Sequence, residues 1–368
     1  MRSQGKKARL ALLTCLLLTL PTLAREPLWK AALGSESAGS PAVSSRRVVV
    51  ATKSGAVVVL DGAGRIVWSH RLPAGCLAAP ALDRNGDAYV ACVDGSLLRL
   101  SAVGRPVWEV ELGQEILATP LLGSGVLFTV SESGRVCKVA KKDGAVLAQA
   151  ELNLPSHSSP VWDAGRKNLL VPVKDGFLLA LDQDLRVLWK YRTRGVNLSV
   201  PAVTPRNEVY LTSMDHHLYK LDAEGRPLWE FAAQGWIKSS PVVDERGRVY
   251  FGSYDGHFYA VSADGKALWT FKGRAQFTAG AAIDAAGTLY CGDTSGTVYA
   301  LDRTGKLSWQ YKSPDFMSVD LAILPQKVLL AGGIDGTLLA FRTARPLSRK
   351  AWWAKALGNL SNSGFDEP

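Results

Sequence analysis

The chain has 368 residues, a formal net charge of +10 and 21% charged residues. Its basic residues are scattered rather than clustered, which argues against nucleic-acid binding and favours an ordinary solvated surface. After the first 24 residues no apolar run approaches the length of about 18 residues that a membrane span needs. The sequence therefore predicts no transmembrane span in the mature chain.

The first element, residues 1–24, has the three parts of a secretory signal peptide. Basic residues precede an apolar run at 10–20, and small residues allow cleavage after Ala24. We therefore predict an exported protein, either periplasmic or associated with the outer membrane. Cys15 lies in the middle of the apolar run and not at its end, so a lipid anchor is not expected.

From residue 25 to residue 346 the sequence repeats with a period close to 40 residues. Each copy has four short runs rich in β-branched and aromatic residues, bounded by Gly, Asp or Pro, which is the pattern of four β-strands. The turn after the second run marks the register and suits a tight hairpin with positive φ. Its marker residues are Gly55, Gly95, Gly134, Gly176, His216, Gly256, Gly296 and Gly336.

A tryptophan follows this turn by 13 positions in most copies. These residues are Trp68, Trp108, Trp189, Trp229, Trp269 and Trp309. Ala148 takes the place in the third copy, so we predict that blade 3 makes the loosest contact with its neighbour. The last copy lacks the tryptophan, and Trp29, which precedes the first copy, is placed to supply it.

The repeat predicts an all-β, eight-bladed β-propeller of four-stranded antiparallel blades over residues 25–346, followed by a C-terminal tail at 347–368. The N-terminal strand that carries Trp29 completes the last blade and closes the ring, which removes an open sheet edge. The tryptophans are predicted to fill the gaps between adjacent blades, each burying on the order of 200 Å². Their identical repeat positions favour this role over cofactor binding.

Four cysteines lie beyond the predicted signal peptide, and their spacing matches no zinc or redox motif. They are Cys76, Cys92, Cys137 and Cys291. Export would permit a disulfide, and Cys76 and Cys92 could oppose each other across a hairpin. The favoured interpretation is that all of them are small buried strand residues.

Two segments carry a resemblance to a known family. Residues 300–309 read Ala-Leu-Asp-Arg-Thr-Gly-Lys-Leu-Ser-Trp, and residues 219–229 read Tyr-Lys-Leu-Asp-Ala-Glu-Gly-Arg-Pro-Leu-Trp. Both resemble the tryptophan-docking repeat of quinoprotein dehydrogenases, shortened here by one residue. The chain is thus identified as a member of the PQQ-like repeat proteins over about residues 27–341. This family includes dehydrogenases and non-catalytic, exported assembly scaffolds of the BamB type.

An enzyme of the quinoprotein class would need PQQ with calcium, carboxylate ligands, an aspartate base and, commonly, an adjacent cysteine pair. The sequence has no adjacent cysteines, and its regular blade spacing leaves no room for insertions that build such a site. His216 and His217 would point to opposite faces of a strand and cannot readily share a metal. We therefore predict a non-enzymatic scaffold without catalytic, cofactor or metal residues. The alternative is a PQQ-dependent dehydrogenase or a small-ligand-binding propeller.

The loops from each tryptophan strand to the next copy vary in sequence and share one face near the axis. They contain residues that repeat packing does not require, which often marks binding. We predict that this face binds an envelope protein, a β-barrel assembly component being one candidate, and that the chain is monomeric on its own. The alternative is that these residues plug the central channel. The candidates are Glu115, Ile116, His157, Arg194, Asn197, Trp236, Lys238, Arg274, Gln276, Phe277, Asp315 and Phe316.

Overall fold

The computed structural model describes residues 25–44, 47–165, 167–314, 321–351 and 355. Within these residues the chain forms strands, turns and bends, without a helix. No helix long and apolar enough to cross a membrane therefore occurs in the described ranges. The predicted signal peptide, residues 1–24, and most of the predicted C-terminal tail lie outside them.

The strands follow the predicted repeat closely. In chain order they are β1 (Trp29–Ala32), β2 (Ala42–Val43), β3 (Arg47–Ala51), β4 (Ala56–Asp61), β5 (Ile66–Arg71), β6 (Ala81–Leu82), β7 (Ala88–Ala91), β8 (Ser96–Leu100), β9 (Pro106–Glu111), β10 (Leu121–Leu122), β11 (Val126–Val130), β12 (Arg135–Ala140), β13 (Val146–Glu151), β14 (Val161–Trp162), β15 (Leu169–Pro172), β16 (Phe177–Leu181), β17 (Val187–Arg192), β18 (Ala202–Val203), β19 (Val209–Thr212), β20 (His217–Leu221), β21 (Pro227–Ala232), β22 (Val242–Val243), β23 (Val249–Gly252), β24 (His257–Val261), β25 (Ala267–Lys272), β26 (Ala282–Ile283), β27 (Leu289–Gly292), β28 (Thr297–Leu301), β29 (Leu307–Lys312), β30 (Ala322–Leu324), β31 (Val328–Gly332) and β32 (Thr337–Arg342).

In the described residues these strands form eight four-stranded antiparallel sheets, which are the blades of a propeller. Each successive group of four strands from β2 onward makes blades 1 to 7, and β30, β31, β32 and β1 make blade 8. The first strands of neighbouring blades touch, as β2 does with β6 and β30, so these short buried strands surround the axis. Outer strands such as β21 alternate between exposed and half-buried residues. The predicted eight-bladed fold is confirmed.

The ring is closed by β1, which pairs antiparallel with β32. Trp29 lies opposite Ala340, and Ala32 lies opposite Thr337. The Arg25 guanidinium packs 5.5 Å from the centre of the Trp309 ring on blade 7. The prediction that the N-terminal strand completes the last blade is therefore confirmed.

The repeated tryptophans dock each blade onto the next one. The Trp68 indole Nε1 donates to the carbonyl oxygen of Ala102 at 3.2 Å. The ring covers Gly104, where an added Cβ would lie only 2.7 Å from it. The Trp68 ring of blade 1 thus lies against the turn of blade 2 that contains Gly104. The same glycine contact is made by Trp29, Trp108, Trp189, Trp229 and Trp269.

Trp309 packs against a different partner, because β32 is the last strand of the described residues and no turn leads from it to the outer strand of blade 8. Its ring centre lies 5.7 Å from that of Phe341, which belongs to β32. Trp309 is buried, whereas the other six docking tryptophans are half-buried. The docking of blade 7 onto blade 8 is therefore still carried by the tryptophan that the repeat predicts.

The contact between blades 3 and 4 exchanges the sizes of the two docking partners. Ala148 of blade 3 occupies the position of the docking tryptophan, and Leu185 of blade 4 occupies the position of the docking glycine. Leu185 adopts φ 65° and is buried in the same cluster that Ala148 contacts. Trp162 adds a second large side chain, and its indole donates to the Leu122 carbonyl at 2.8 Å. The predicted looseness of this contact concerns dynamics and stays a prediction.

Candidate partner-binding rim

In the loops before blades 2, 3, 6 and 7, the segment that connects an outer strand to the next inner strand is hydrogen-bonded to the turns of both flanking blades. Between blades 5 and 6, the Ile237 amide donates to the Ser213 carbonyl at 3.3 Å. In the same loop the Trp236 carbonyl accepts a bond from the Tyr254 amide at 2.9 Å. Equivalent bonds recur before blades 2, 3 and 7. These loops, with the turns between the second and third strands of each blade, form one face that we call the rim.

Three of the predicted rim residues are not on the surface. Ile116, Asn197 and Phe277 are 1%, 0% and 0% exposed. The Phe277 ring packs between Phe258 and Tyr299, with centroid distances of 5.6 Å and 5.8 Å. The interpretation of Phe277 as an exposed loop aromatic is therefore wrong, and none of the three can be a partner contact in the folded chain.

The burial has a simple cause, because these residues occupy one repeat position. One position in the connecting loop recurs with the period of the repeat. Its residue is buried in the loops before blades 2 to 7, and these residues are Cys76, Ile116, Ser156, Asn197, Ile237 and Phe277. The sequence held this signal, since these residues recur at intervals of 40 or 41. A position that recurs with the repeat is part of its packing even where its residue type varies.

The exposed part of the rim is centred on an aromatic pair. Trp236 is 49% exposed, although it is a large apolar side chain. Its ring centre lies 5.8 Å from that of Tyr254, with the planes tilted by 59°. Lys238 is exposed beyond the buried Ile237. The structure therefore brings two predicted residues, Trp236 and Lys238, to one surface.

Next to this pair lies a shallow cleft of about 280 Å³. Basic and polar side chains line it, and Lys272 donates from Nζ to the Asp255 carbonyl at 2.9 Å. Two of the lining residues, Arg274 and Gln276, were predicted rim members. The lining consists of Tyr254, Asp255, Gly256, Lys272, Gly273, Arg274, Ala275 and Gln276.

Tyr254 and Lys272 were missed at the sequence level. Tyr254 is the second residue of a turn whose third residue is Asp or Ser and whose fourth is Gly in all copies but one. That second position varies through Lys53, Val93, Glu132, Lys174, Met214, Thr294 and Ile334 in the other copies. Variation directly before this nearly constant pair of residues is the signal that points to this position.

Other predicted residues lie apart from the aromatic pair and have partners of their own. Arg194 holds Glu230 with its guanidinium, at 2.9 Å and 2.7 Å from the two carboxylate oxygens. The Nε2 atom of half-buried His157 lies 3.1 Å from a Glu132 carboxylate oxygen. Glu115 is exposed.

Two further candidates, Asp315 and Phe316, lie outside the described residues.

The aspartates of the rim turns are engaged in holding those turns. Asp255 accepts bonds from the His257 amide at 2.8 Å and from the Tyr259 hydroxyl at 2.7 Å. Burial alone would raise the pKa of Asp255, but these hydrogen bonds outweigh it and hold the pKa below its usual value. Across the described ranges, no three His, Cys, Asp or Glu side chains converge as metal ligands would.

Comparison with known proteins matches the whole repeat region to one family. The model of the family described as "Outer membrane protein assembly factor BamB" matches residues 23–176, 93–203 and 174–358. The chain belongs to this PQQ-like, BamB-type family. Among curated proteins no match was found.

Solved structures similar to this family member share its propeller fold. BamB from Moraxella catarrhalis aligns with a TM-score of 0.75 at 19% identity, covering 87% of this chain and 100% of that one. Sqt1 from Saccharomyces cerevisiae aligns with a TM-score of 0.76 at 13% identity, covering 87% and 99%. The computationally designed protein Ika8 aligns with a TM-score of 0.73 at 15% identity, covering 86% and 99%. At these identities the likeness shows the fold alone.

Proposed function

We propose that this BamB-type propeller is an exported, non-enzymatic scaffold that binds an envelope protein through its rim. The surface that carries the proposal is the half-exposed Trp236, paired with Tyr254 and flanked by Lys238 and the basic cleft. Blade packing does not require an exposed indole at this position, since the neighbouring Ile237 provides the buried contact. Trp, Tyr and Arg are the residues that dominate binding energy at protein interfaces.

The charges beside the aromatic pair favour a particular partner chemistry. Lys272 and Arg274 line the cleft, and Lys238 is exposed in the same loop as Trp236. A partner segment with an apolar side chain next to acidic groups would satisfy both features. A component of the β-barrel assembly machinery is the candidate that the family suggests, because a matched structure is BamB.

Site-specific photo-crosslinking at position 236 in the native envelope tests the proposal. We expect crosslinks to a β-barrel assembly protein from a probe at 236 and none from a probe at Leu268. Leu268 is a comparable control, because it is 46% exposed but lies on the outer strand β25, away from the rim. Equal labelling from both positions, or labelling from neither, would contradict the proposal.

Affinity measurements on the recovered partner give a second test. The double variant Trp236→Ala/Lys238→Ala should weaken binding by about 30-fold or more, as loss of a central aromatic anchor does. The matched variant Leu268→Ala/Lys266→Ala removes one apolar side chain from the outer strand β25 and one basic side chain directly before it. It should bind within about twofold of the parent chain. Similar losses in both variants would place the interface elsewhere.

The quinone-dependent alternative has a direct experiment. The rim carboxylates, such as Asp255, are already bonded to their own turns, which supports the non-enzymatic proposal. Addition of PQQ and calcium to the purified chain should therefore produce no bound quinone absorbance and no dye reduction. Stoichiometric PQQ binding with dye reduction would favour the dehydrogenase instead.

A further inference from the structure

Blade 2 carries two cysteines whose sulfur atoms face each other in the interior. Cys76 lies in the loop between β5 and β6, and Cys92 begins the turn between β7 and β8. Their Sγ atoms are 3.7 Å apart, and both side chains are fully buried. A disulfide requires about 2.05 Å, so closing the gap needs a side-chain movement of less than about 2 Å. The pairing therefore joins a loop to a turn, rather than two strand residues across a hairpin.

The fold does not impose this pairing, because other blades use different residues at the same two repeat positions. Ile237 and Ser253 occupy these positions in blade 6, and Phe277 and Asp293 occupy them in blade 7. Among the copies whose two positions the structure describes, only blade 2 has cysteine at both. The two thiols are packed inside an apolar cluster of blades 1 and 2.

The other two described cysteines provide an internal comparison. Cys137 lies in β12 opposite Thr129 and Gln149. Cys291 lies in β27 opposite Tyr299. Both are buried like the blade 2 pair, so any difference in their chemistry reflects the presence of a neighbouring sulfur and not burial.

We propose that Cys76 and Cys92 form an intramolecular disulfide when the chain meets a disulfide oxidant, and that this bond pins the entry loop of blade 2 to its turn. The Cys92 thiolate attacks one sulfur of the oxidant, forming a mixed disulfide and releasing one oxidant thiol. The Cys76 sulfur then attacks Cys92, which forms the internal bond and releases the second thiol. The protein loses two electrons and two protons, and the oxidant gains both.

The hydrogen bond between the sulfurs supports this order of attack. The hydrogen bond between the two sulfurs lowers the pKa of Cys92, while the same bond and burial raise the pKa of Cys76. Cys92 is thus the sulfur that more readily becomes a thiolate, which is the attacking species in thiol–disulfide exchange.

The bond would stiffen the rim across three blades. The Cys76 amide donates to the Thr52 carbonyl of blade 1 at 3.3 Å. The Cys92 carbonyl accepts from the Ile116 amide, in the loop before blade 3, at 3.4 Å. A covalent link between Cys76 and Cys92 therefore joins two inter-blade hydrogen bonds into one continuous connection.

Peptide mapping of the refolded chain tests the proposal. The full chain is reduced, refolded in a mixture of oxidised and reduced glutathione, quenched in acid, denatured and alkylated. We expect one crosslinked peptide pair joining Cys76 to Cys92, lighter by about 2 Da than the two reduced peptides together. Cys137 and Cys291 should be alkylated in full. The crosslinked pair should disappear when reductant precedes alkylation.

Matched variants sharpen the result. Cys92→Ala should abolish the crosslink and leave Cys76 alkylated, whereas Cys137→Ala should leave the crosslink unchanged. The proposal is overturned if Cys76 and Cys92 are alkylated as completely as Cys137 and Cys291 in the parent chain. It is equally overturned if either residue bonds to another cysteine. Because no partner protein is needed, the result is independent of the proposed scaffold function.

Discussion

At the scale of single residues, the docking of blades depends on glycines as much as on tryptophans. Gly225 has φ +76° and lies under the Trp189 ring, where an added Cβ would approach ring atoms to 2.4 Å. Gly113 has a similar φ of +73° but nothing within 4 Å of an added Cβ. The two positions therefore separate the backbone cost of a side chain from the cost of disturbing a docked indole.

Gly225→Ala should destabilise the protein more than Gly113→Ala. Both variants incur the left-handed backbone cost, about 1–2 kcal/mol per residue. Only Gly225→Ala also displaces Trp189, which should add about 1–3 kcal/mol as overpacking does. Urea unfolding of both variants beside the parent chain measures the difference. Equal losses of unfolding free energy would mean that the indole can move aside without cost.

Tyr259 provides a titratable probe of the turn that supports the cleft. Its hydroxyl donates to Asp255 at 2.7 Å, and its ring stacks on Phe251 with centroids 5.2 Å apart. Burial and the hydrogen bond to Asp255 raise its pKa to about 12. A tyrosine whose pKa is raised on folding stabilises the folded chain below its unfolded pKa of about 10, and this stabilisation is lost as pH rises toward 12.

Tyr259→Phe should therefore cost stability in a pH-dependent way. Near neutral pH we expect a loss of about 1–3 kcal/mol, because the Asp255 carboxylate loses a hydrogen-bond donor. The gap between parent and variant should narrow as the pH rises from about 10 to about 12. Denaturant unfolding across this range measures it, with Tyr254→Phe on the rim surface as the control. A gap that stays constant would show that the hydroxyl does not remain protonated in the fold.

At the scale of elements, the contact between blades 3 and 4 has a small residue in place of the docking tryptophan and a large one in place of the docking glycine. Ala148 on β13 replaces the tryptophan, and Leu185 before β17 replaces the glycine. Ala148→Trp alone should destabilise by about 1–3 kcal/mol through overpacking, and Leu185→Gly alone by about 2–4 kcal/mol through lost burial. The double variant rebuilds the common docking pair and should recover at least about 1 kcal/mol of the summed loss.

A double-mutant cycle from urea unfolding measures this coupling. Additive losses would show that Leu185 does not occupy the space of the missing indole.

The contact between blades 3 and 4 is also the one that Ala148 predicts to be the loosest in the ring. If Leu185 and Trp162 together pack less firmly than a docked indole, the backbone amides of β13 should exchange with deuterium faster than those of β9. β9 is the matched strand, because it carries Trp108 at the equivalent position. Native-state exchange followed by mass spectrometry compares the two. Equal protection of the two strands would mean that the substitution of sizes compensates fully.

The blades were predictable because the copies share the same local sequence features. Turn residues, alternating apolar strands and the docking tryptophan recur at one spacing, so each copy supports the assignment of the others. The backbone conformation of Leu185 was not predictable, since a φ of 65° is unusual for leucine and only the structure reveals it. The size exchange with Ala148 belongs to a contact between two blades, which the spacing of residues within one copy does not show.

The rim was predicted less well, for a related reason. The sequence indicated a loop face and assigned Trp236 and Lys238 to it, because repeat packing does not require either residue. It assigned Phe277 to the surface by residue type alone, although the position recurs with the repeat and is buried. It missed Tyr254, which joins the surface only through a contact made across the inter-blade loop.

At the scale of the whole molecule, closure by β1 should govern stability. A chain that begins at Gly34 leaves β32 as an open edge and removes the Trp29 contact with Gly64. We expect a loss of at least about 3 kcal/mol in unfolding free energy, together with concentration-dependent self-association through the exposed edge. A synthetic peptide of residues 25–33 should raise the melting temperature of the shortened chain, and its Trp29→Ala version should not.

Light scattering and thermal unfolding, with and without the peptide, check this expectation. A shortened chain that stays monomeric and melts like the parent would show that blade 8 is stable with three strands.

Because β1 belongs to blade 8 while the residues after it open blade 1, the unit that repeats in the sequence is offset from the unit that folds. An in-frame duplication of one repeat length, begun at any phase, would add four strands in the correct order and leave the two terminal strands unchanged. The copy number would then set the circumference, and the ends would still meet. Gene duplication and ring closure are thereby separate events, so a lineage of such proteins could change its blade number without passing through an open, unpaired intermediate.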